Sequence, residues 1–316
     1  MTKRTPITFH SRLGSYFGAF FGALSILSLA VVVWRFSNDW LLHLDPDYVS
    51  IPDDMRTAAN KNDGQTVWPF KFSAKATSAL SAPPAQNSNY SWSYEGASGP
   101  ANWSALSRDN VACGNGKFQS PIDIPRRAVA SVENLRLNWV PEVTGVGNQG
   151  PLTELSLTGG SRTVLHGEDF VLKRMLFHSP SEHQLSGLTF PMEVQFIHES
   201  SSGKIAIFGV FVEIGSALPE VEDILPHIQV AAQSPTKIGS FNPRKLVPNN
   251  VQHFRYQGSL TSPPCTEGVS WFVFTNAIEM SAEQVVAFRA AHGQSSRPLQ
   301  PIGSRSFEVD MSLRSH

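Results

Sequence analysis

The stretch FVLKRMLFHSPSEH, residues 170–183, decides how most of this chain is read. Its first nine residues are dense in apolar, β-branched and aromatic side chains, and a Ser-Pro step ends them, which is the signature of a strand running into a turn. Three later runs share that texture: MEVQFIHE (192–199), KIAIFGVFVEIG (204–215) and VSWFVFT (269–275). Gly, Pro, Ser or Asn bounds each of them, so the sequence predicts a β-rich domain from about Asn89 to the C-terminus. Two helices are expected on its surface. In LPEVEDILPHI (218–228), Val221, Ile224, Leu225 and Ile228 form an i, i+3, i+4, i+7 stripe. Near the end, Ser281 and Gln284 make a capping box ahead of VVAFRAAH. No internal repeat is found.

Upstream of Asn89 the character changes. Residues 36–88 are polar and irregular, with segments such as LDPDYVSIPDDM and KATSALSAPPAQNSN that lack helical or strand periodicity. A flexible linker is one reading. The bulky residues Trp40, Leu41, Leu42, Trp68, Phe70 and Phe72 are costly to leave in water, so an extended arm lying on a partner is the other. Further upstream, Gly14–Trp34 reads GSYFGAFFGALSILSLAVVVW without a single charge. About 20 residues is what one helix needs to cross a bilayer, and no small-residue cleavage site follows, so a membrane helix over residues 14–35 is expected rather than a cleaved signal peptide. Lys3, Arg4 and Arg12 precede the apolar run, and Arg35 alone comes just after it, followed by Asp39, Asp45 and Asp47. That asymmetry leaves residues 1–13 on the cytosol-equivalent (or matrix or stroma) side and sends the remainder across. The basic, acid-free opening MTKRTPITFHSRLG also has the composition of an organelle address. Gly14, Gly18 and Gly22 recur every four residues and make a smooth helix face for close packing against another membrane helix.

Composition excludes several classes. The balance of 25 basic and 26 acidic residues exerts no long-range pull on nucleic acid, and none is expected as a partner. Twenty Phe and seven Trp beside only 16% charged residues argue for an ordered domain. Two cysteines rule out a disulfide-dense scaffold and a cysteine-rich metal domain.

Five segments then carry a resemblance. WSYEGASGPANW (Trp92–Trp103), QSPIDI (Gln119–Ile124), FHSPSEH (Phe177–His183), GSLTSPPCTEGVSWFVF (Gly258–Phe274) and SRPLQPIGSR (Ser296–Arg305) occur in the order found in α-carbonic anhydrases. Residues 89–316 thus resemble that family. The resemblance implies a β-rich, mixed α/β-type fold: a large twisted, mostly antiparallel sheet with few surface helices and an active site in a cone.

In the family three histidines hold Zn2+, with water in the fourth position; carbonic anhydrase is the usual example of a three-histidine catalytic zinc site. Two ligands come from a His-Phe-His strand, where alternation puts both on one face. Here that segment reads Leu176-Phe177-His178, and the third position, inside Glu193-Val194-Gln195-Phe196-Ile197-His198, is Gln195. Leucine cannot ligate and a neutral amide oxygen is a poor zinc ligand, so neither zinc nor another cofactor is expected. A one-residue slip would turn each strand to its other face, and His198 differs from Gln195 by an odd number, so it should face away. Other parts survive: Thr261 matches the threonine that orients the zinc-bound hydroxide, Glu182 its carboxylate acceptor, and Glu193 the acid that orients a ligand histidine, here left without its expected partner. Arg174 stands where the family has glutamine, and Pro151 is nearest the proton-shuttle position.

By the same resemblance, Cys113 and Cys265 match the paired cysteines of secreted and membrane-bound members, and a bridge implies an oxidising compartment. Two free buried thiols is the alternative. Asn89 and Asn102 begin glycosylation sequons.

The expectation that follows is a single-pass protein, anchored in the lipid bilayer, with its domain in an oxidising extracytosolic space: cell surface or secretory lumen, thylakoid lumen, or mitochondrial intermembrane space. It is read as not an enzyme, a structural or interaction subunit meeting other membrane-protein subunits through its helix and residues 36–88. The competing readings are a carbonic anhydrase with a rearranged metal site, an esterase-like hydrolase in the same cleft, and a metal-free module for bicarbonate or another small anion.

Overall fold

A computed structural model describes residues 48–50, 91–125, 127–131, 135–228 and 235–310. The membrane helix expected over residues 14–35, with Gly14, Gly18 and Gly22, lies outside the described residues, as does the arm apart from residues 48–50. Among the described residues no helix is long and apolar enough to cross a membrane.

The strands that carry the site are β1 (Glu142–Gln149), β2 (Leu152–Leu157), β3 (Glu168–His178), β4 (Met192–Ser200), β5 (Ile205–Ile214), β6 (His253–Ser259) and β7 (Glu267–Phe274). They lie side by side in the order β6, β7, β5, β4, β3, β2, β1 within a 14-stranded sheet. Only β5 and β7 run parallel within this set; the other neighbours are antiparallel. The sheet extends past β6 through Glu308–Asp310 and Arg127–Ser131 to the three backbone residues Tyr48–Ser50. A small second sheet joins Asp123–Ile124, Gln184–Leu185 and Leu188–Thr189.

The strands read as nearly continuous apolar runs because both faces of the sheet are covered. On one face Met175, Phe177, Val194, Phe196, Phe208, Val210, Phe272 and Phe274 share a core. On the other, Leu152, Leu176, Ile197, Ile207, Phe211, Val269, Trp271 and Val273 share a second. Adjacent residues thus serve different cores, and each such side chain contributes on the order of 1.5–3 kcal/mol by leaving water.

Helix α1 (Ala282–His292) seals the first core, with Phe288 stacked on Phe177 at 4.7 Å between ring centroids. The expected capping box is formed: Ser281 Oγ accepts from Gln284 N at 3.3 Å, and Gln284 Oε1 accepts from Ser281 N at 3.1 Å. The other helix is corrected by the structure. Residues 218–228 form one α-turn, Pro219–Glu222, followed by a 3-10 turn, Leu225–His227. Pro226 has no N–H to return to the Glu222 carbonyl and its ring would clash with it, so an α-helix cannot run on past Glu222. Pro226 falls inside the 3-10 turn instead. Val221, Ile224 and Ile228 are nonetheless buried, so the apolar stripe was correct as a pattern of burial.

Cys113 and Cys265 are joined as expected, with their Cα atoms 5.0 Å apart. Asn102 is exposed at the end of a short 3-10 turn, whereas Asn89 lies outside the described residues.

Candidate functional site

Strand pairing builds the site. On β3, Leu176 and His178 point to the second core, and on β4 Glu193 and Gln195 point to the same side. The register sets Gln195 opposite Leu176 and Glu193 opposite His178. The register thus brings together the three positions singled out in the sequence, Leu176, His178 and Gln195, and all are buried. His198 faces the other way: its ring lies 5.2 Å from Trp139 and 4.8 Å from Phe208 in the first core. Burial there pushes its imidazole down to about 3, so it is a neutral packing residue.

His178 donates from Nδ1 to the carbonyl of Ser295 at 2.7 Å. That puts a proton on Nδ1, and Nε2 is fully buried and without a hydrogen-bond partner among the described residues. Its nearest charged neighbour is Glu182 Oε2 at 3.6 Å. Glu182 Oε1 accepts from the backbone N–H of Arg297 at 3.0 Å, and Oε2 accepts from Gln195 Nε2 at 2.8 Å. The same Gln195 nitrogen reaches Glu193 Oε1 at 3.1 Å.

Glu193 is corrected from the sequence expectation of a carboxylate without its partner. It accepts from His183 Nδ1 at 2.9 Å and from the His183 backbone N–H at 2.8 Å, besides Gln195. Burial works to raise its pKa, but His183 and these hydrogen bonds win, so the carboxyl is held below its ordinary value. The chain continues from His183 Nε2 to Tyr256 Oη at 2.6 Å and on to Ser120 Oγ at 2.8 Å. Burial pushes the Tyr256 phenol well above its ordinary value, so it keeps its proton and donates to His183.

A three-histidine zinc site can be tested against these groups. The orphaned Nε2 of His178 is the kind of ring nitrogen a metal would take. Leu176 offers no donor atom and packs in the second apolar core. Gln195 turns its N–H groups, not its oxygen, toward the carboxylates. Among the described residues no three His, Cys, Asp or Glu side chains converge to hold a metal ion. The residues present do not fit the zinc of a carbonic anhydrase.

The surrounding wall was only partly foreseen. Thr261 is buried at the start of the loop closed by Cys265, but no hydrogen bond of the described residues joins it to Glu182, whose oxygens meet Gln195 and Arg297 instead. Pro151 sits in the turn between β1 and β2, where the ring of Trp92 lies so close to Gly150 that a Cβ would meet it at 2.7 Å. Two residues escaped sequence reasoning. Glu154 lies opposite Leu176 on β2 and pairs with Arg174 at 3.9 Å. Burial raises its carboxyl above the ordinary value despite that arginine. The alternation in LTELSL carried this signal, but only once its register to β3 was known. Tyr94 holds its ring edge-on to Trp92 and Trp103, and its hydroxyl is buried without a partner among the described residues.

Comparisons with known proteins identify the family and the fold. The family model for eukaryotic-type carbonic anhydrase matches residues 98–309. A carbonic anhydrase of Pectobacterium atrosepticum is 32% identical over 219 residues, covering 68% of this chain and 88% of that one. The α-carbonic anhydrase from Thermovibrio ammonificans, solved with the inhibitor sulfanilamide, superposes with a TM-score of 0.66 at 37% identity, over 69% of this chain and 98% of that one. A dioscorin solved in complex with ascorbate superposes with a TM-score of 0.67 at 31% identity, over 71% of this chain and 99% of that one. The reading of the chain as a non-enzyme is corrected by these findings. Relatives about one third identical are named carbonic anhydrases, and solved neighbours are carbonic anhydrases, which points to enzyme activity. Replacement of ligand positions bears on a metal; it does not decide what the whole fold does.

Proposed function

Because the chain belongs to the eukaryotic-type carbonic anhydrase family, we propose that it uses that fold as a binding and interaction module, held at a membrane as a subunit of a larger assembly. The observation that carries this reading is the closed floor of the site, where Leu176 joins an apolar core and Gln195 ties two carboxylates. A rigid domain of this kind presents surface for recognition that does not depend on three imidazoles. Support for ligand binding by the fold comes from the dioscorin whose structure holds ascorbate. Support for the membrane comes from the uncharged run Gly14–Trp34, in which Gly14, Gly18 and Gly22 recur every four residues, and from the bulky apolar residues that follow it in sequence. The domain then lies in an oxidising extracytosolic compartment, in keeping with its disulfide. Such a role is compatible with the enzyme activity to which the relatives' names point and does not depend on it.

Native membranes solubilised in mild detergent provide the test. The protein is expected to co-migrate with other subunits, and Gly18→Leu or removal of residues 36–88 is expected to release it with the β domain still folded. Migration as a lone monomer, with the arm cut throughout by protease, overturns the reading.

A further inference from the structure

Two carboxylates, Glu182 and Glu193, stand on the floor of the site with side chains that have no solvent exposure. Buried charge of one sign is costly unless donors or a cation meet it. The residue between them is Gln195, and one nitrogen of its carboxamide reaches both, at 2.8 and 3.1 Å. The orientation is forced: turning the amide over would set its oxygen lone pairs against two carboxylate oxygens. The donors that remain are unevenly shared. Glu193 keeps two from His183, whereas Glu182 Oε2 would be left facing His178 Nε2 at 3.6 Å, too far for a hydrogen bond.

We propose that the Gln195 carboxamide takes over the place of the cation in this site, as a neutral donor of two N–H groups that joins Glu182 to Glu193 and makes the floor self-sufficient without metal. Gln195 is a positioning residue in this assignment, since it acts through the two carboxylates. The proposal holds whether or not the chain is part of a membrane assembly. It accounts for two buried carboxylates standing side by side on a floor whose residues do not fit zinc.

A double-mutant cycle on the full chain tests it, because groups that share one network do not add. Gln195→Met keeps the length and removes both N–H groups, and is expected to lower the melting midpoint by roughly 5 °C or more. Glu182→Gln removes one charge and keeps the shape. In that background Gln195→Met should cost less than half as much. The parent protein should melt at the same temperature with and without chelator. Should Gln195→Met not fold, Gln195→Asn carries the same cycle, since the shorter amide keeps its donors but cannot reach both acids. Additive losses, or a parent midpoint that falls on chelation, overturn the proposal.

Discussion

The double variant Leu176→His, Gln195→His is expected to bind one zinc ion per chain and to gain on the order of 10 °C in melting temperature when zinc is added, while the parent chain gains nothing. The register supplies the reason. Positions 176 and 195 are paired across β3 and β4, and His178 stands two residues along the same face. Paired residues hold their Cβ atoms roughly 5 Å apart, so three imidazoles placed here converge. His178 already aims an unpartnered Nε2 into that space, its Nδ1 bonded to the Ser295 carbonyl, and Glu193 is in place to orient an imidazole at 195. Without metal the same variant should be less stable than the parent by about 2–4 kcal/mol, since Leu176 leaves an apolar core and Glu182 loses a donor. Zinc a thousandfold above its Kd returns about 4 kcal/mol through linkage. Calorimetry with and without zinc reads both halves. A variant that folds but does not respond to zinc would show that the floor has moved away from the family's geometry.

Breaking the disulfide should have the second large effect. Cys113 and Cys265 are 152 residues apart, so the chain-entropy model assigns the bridge about 5 kcal/mol. The cysteines also anchor groups that reach the site. Arg297 donates from Nη2 to the carbonyl of Cys113 at 2.9 Å and from its backbone N–H to Glu182, while Gln119 donates to the carbonyl of Cys265 at 3.1 Å. Cys113→Ser with Cys265→Ser, or reduction of the parent, is therefore expected to lower the melting temperature by roughly 10 °C or more. A reduced protein that melts within about 2 °C of the oxidised one would contradict that assignment.

Much of the fold was readable because its strands carry a local signature. The run FVLKRMLFH became β3, MEVQFIHE became β4, and the Ser281–Gln284 capping box became the start of α1. The segment 218–228 was misread because an i, i+4 stripe records which residues are buried, and a helix broken at Pro226 buries the same ones. Period-2 alternation put Leu176 and His178 on one face of their strand and Gln195 and His198 on opposite faces of theirs. The meeting of Gln195 with Leu176 and His178 was implied by the resemblance and rests on the register of the two strands. The joining of Glu182 to Glu193 was not readable. It depends on which end of an amide faces two acids, and on Arg297, distant in sequence, whose backbone meets Glu182. The pairing of Glu154 with Arg174 was missed for a related reason, since the register of β2 against β3 is a long-range property. The non-enzyme reading failed differently: three positions describe a metal, whereas the activity to which the relatives' names point belongs to the entire domain.

The metal content of the full chain, purified without chelator and measured by elemental analysis against protein concentration, tests most directly whether the floor of the site stands on Leu176 and Gln195 rather than on a cation. No stoichiometric zinc, and a melting temperature indifferent to added zinc, is the expected result. One zinc per chain, removed by a chelator with loss of stability, would contradict the account.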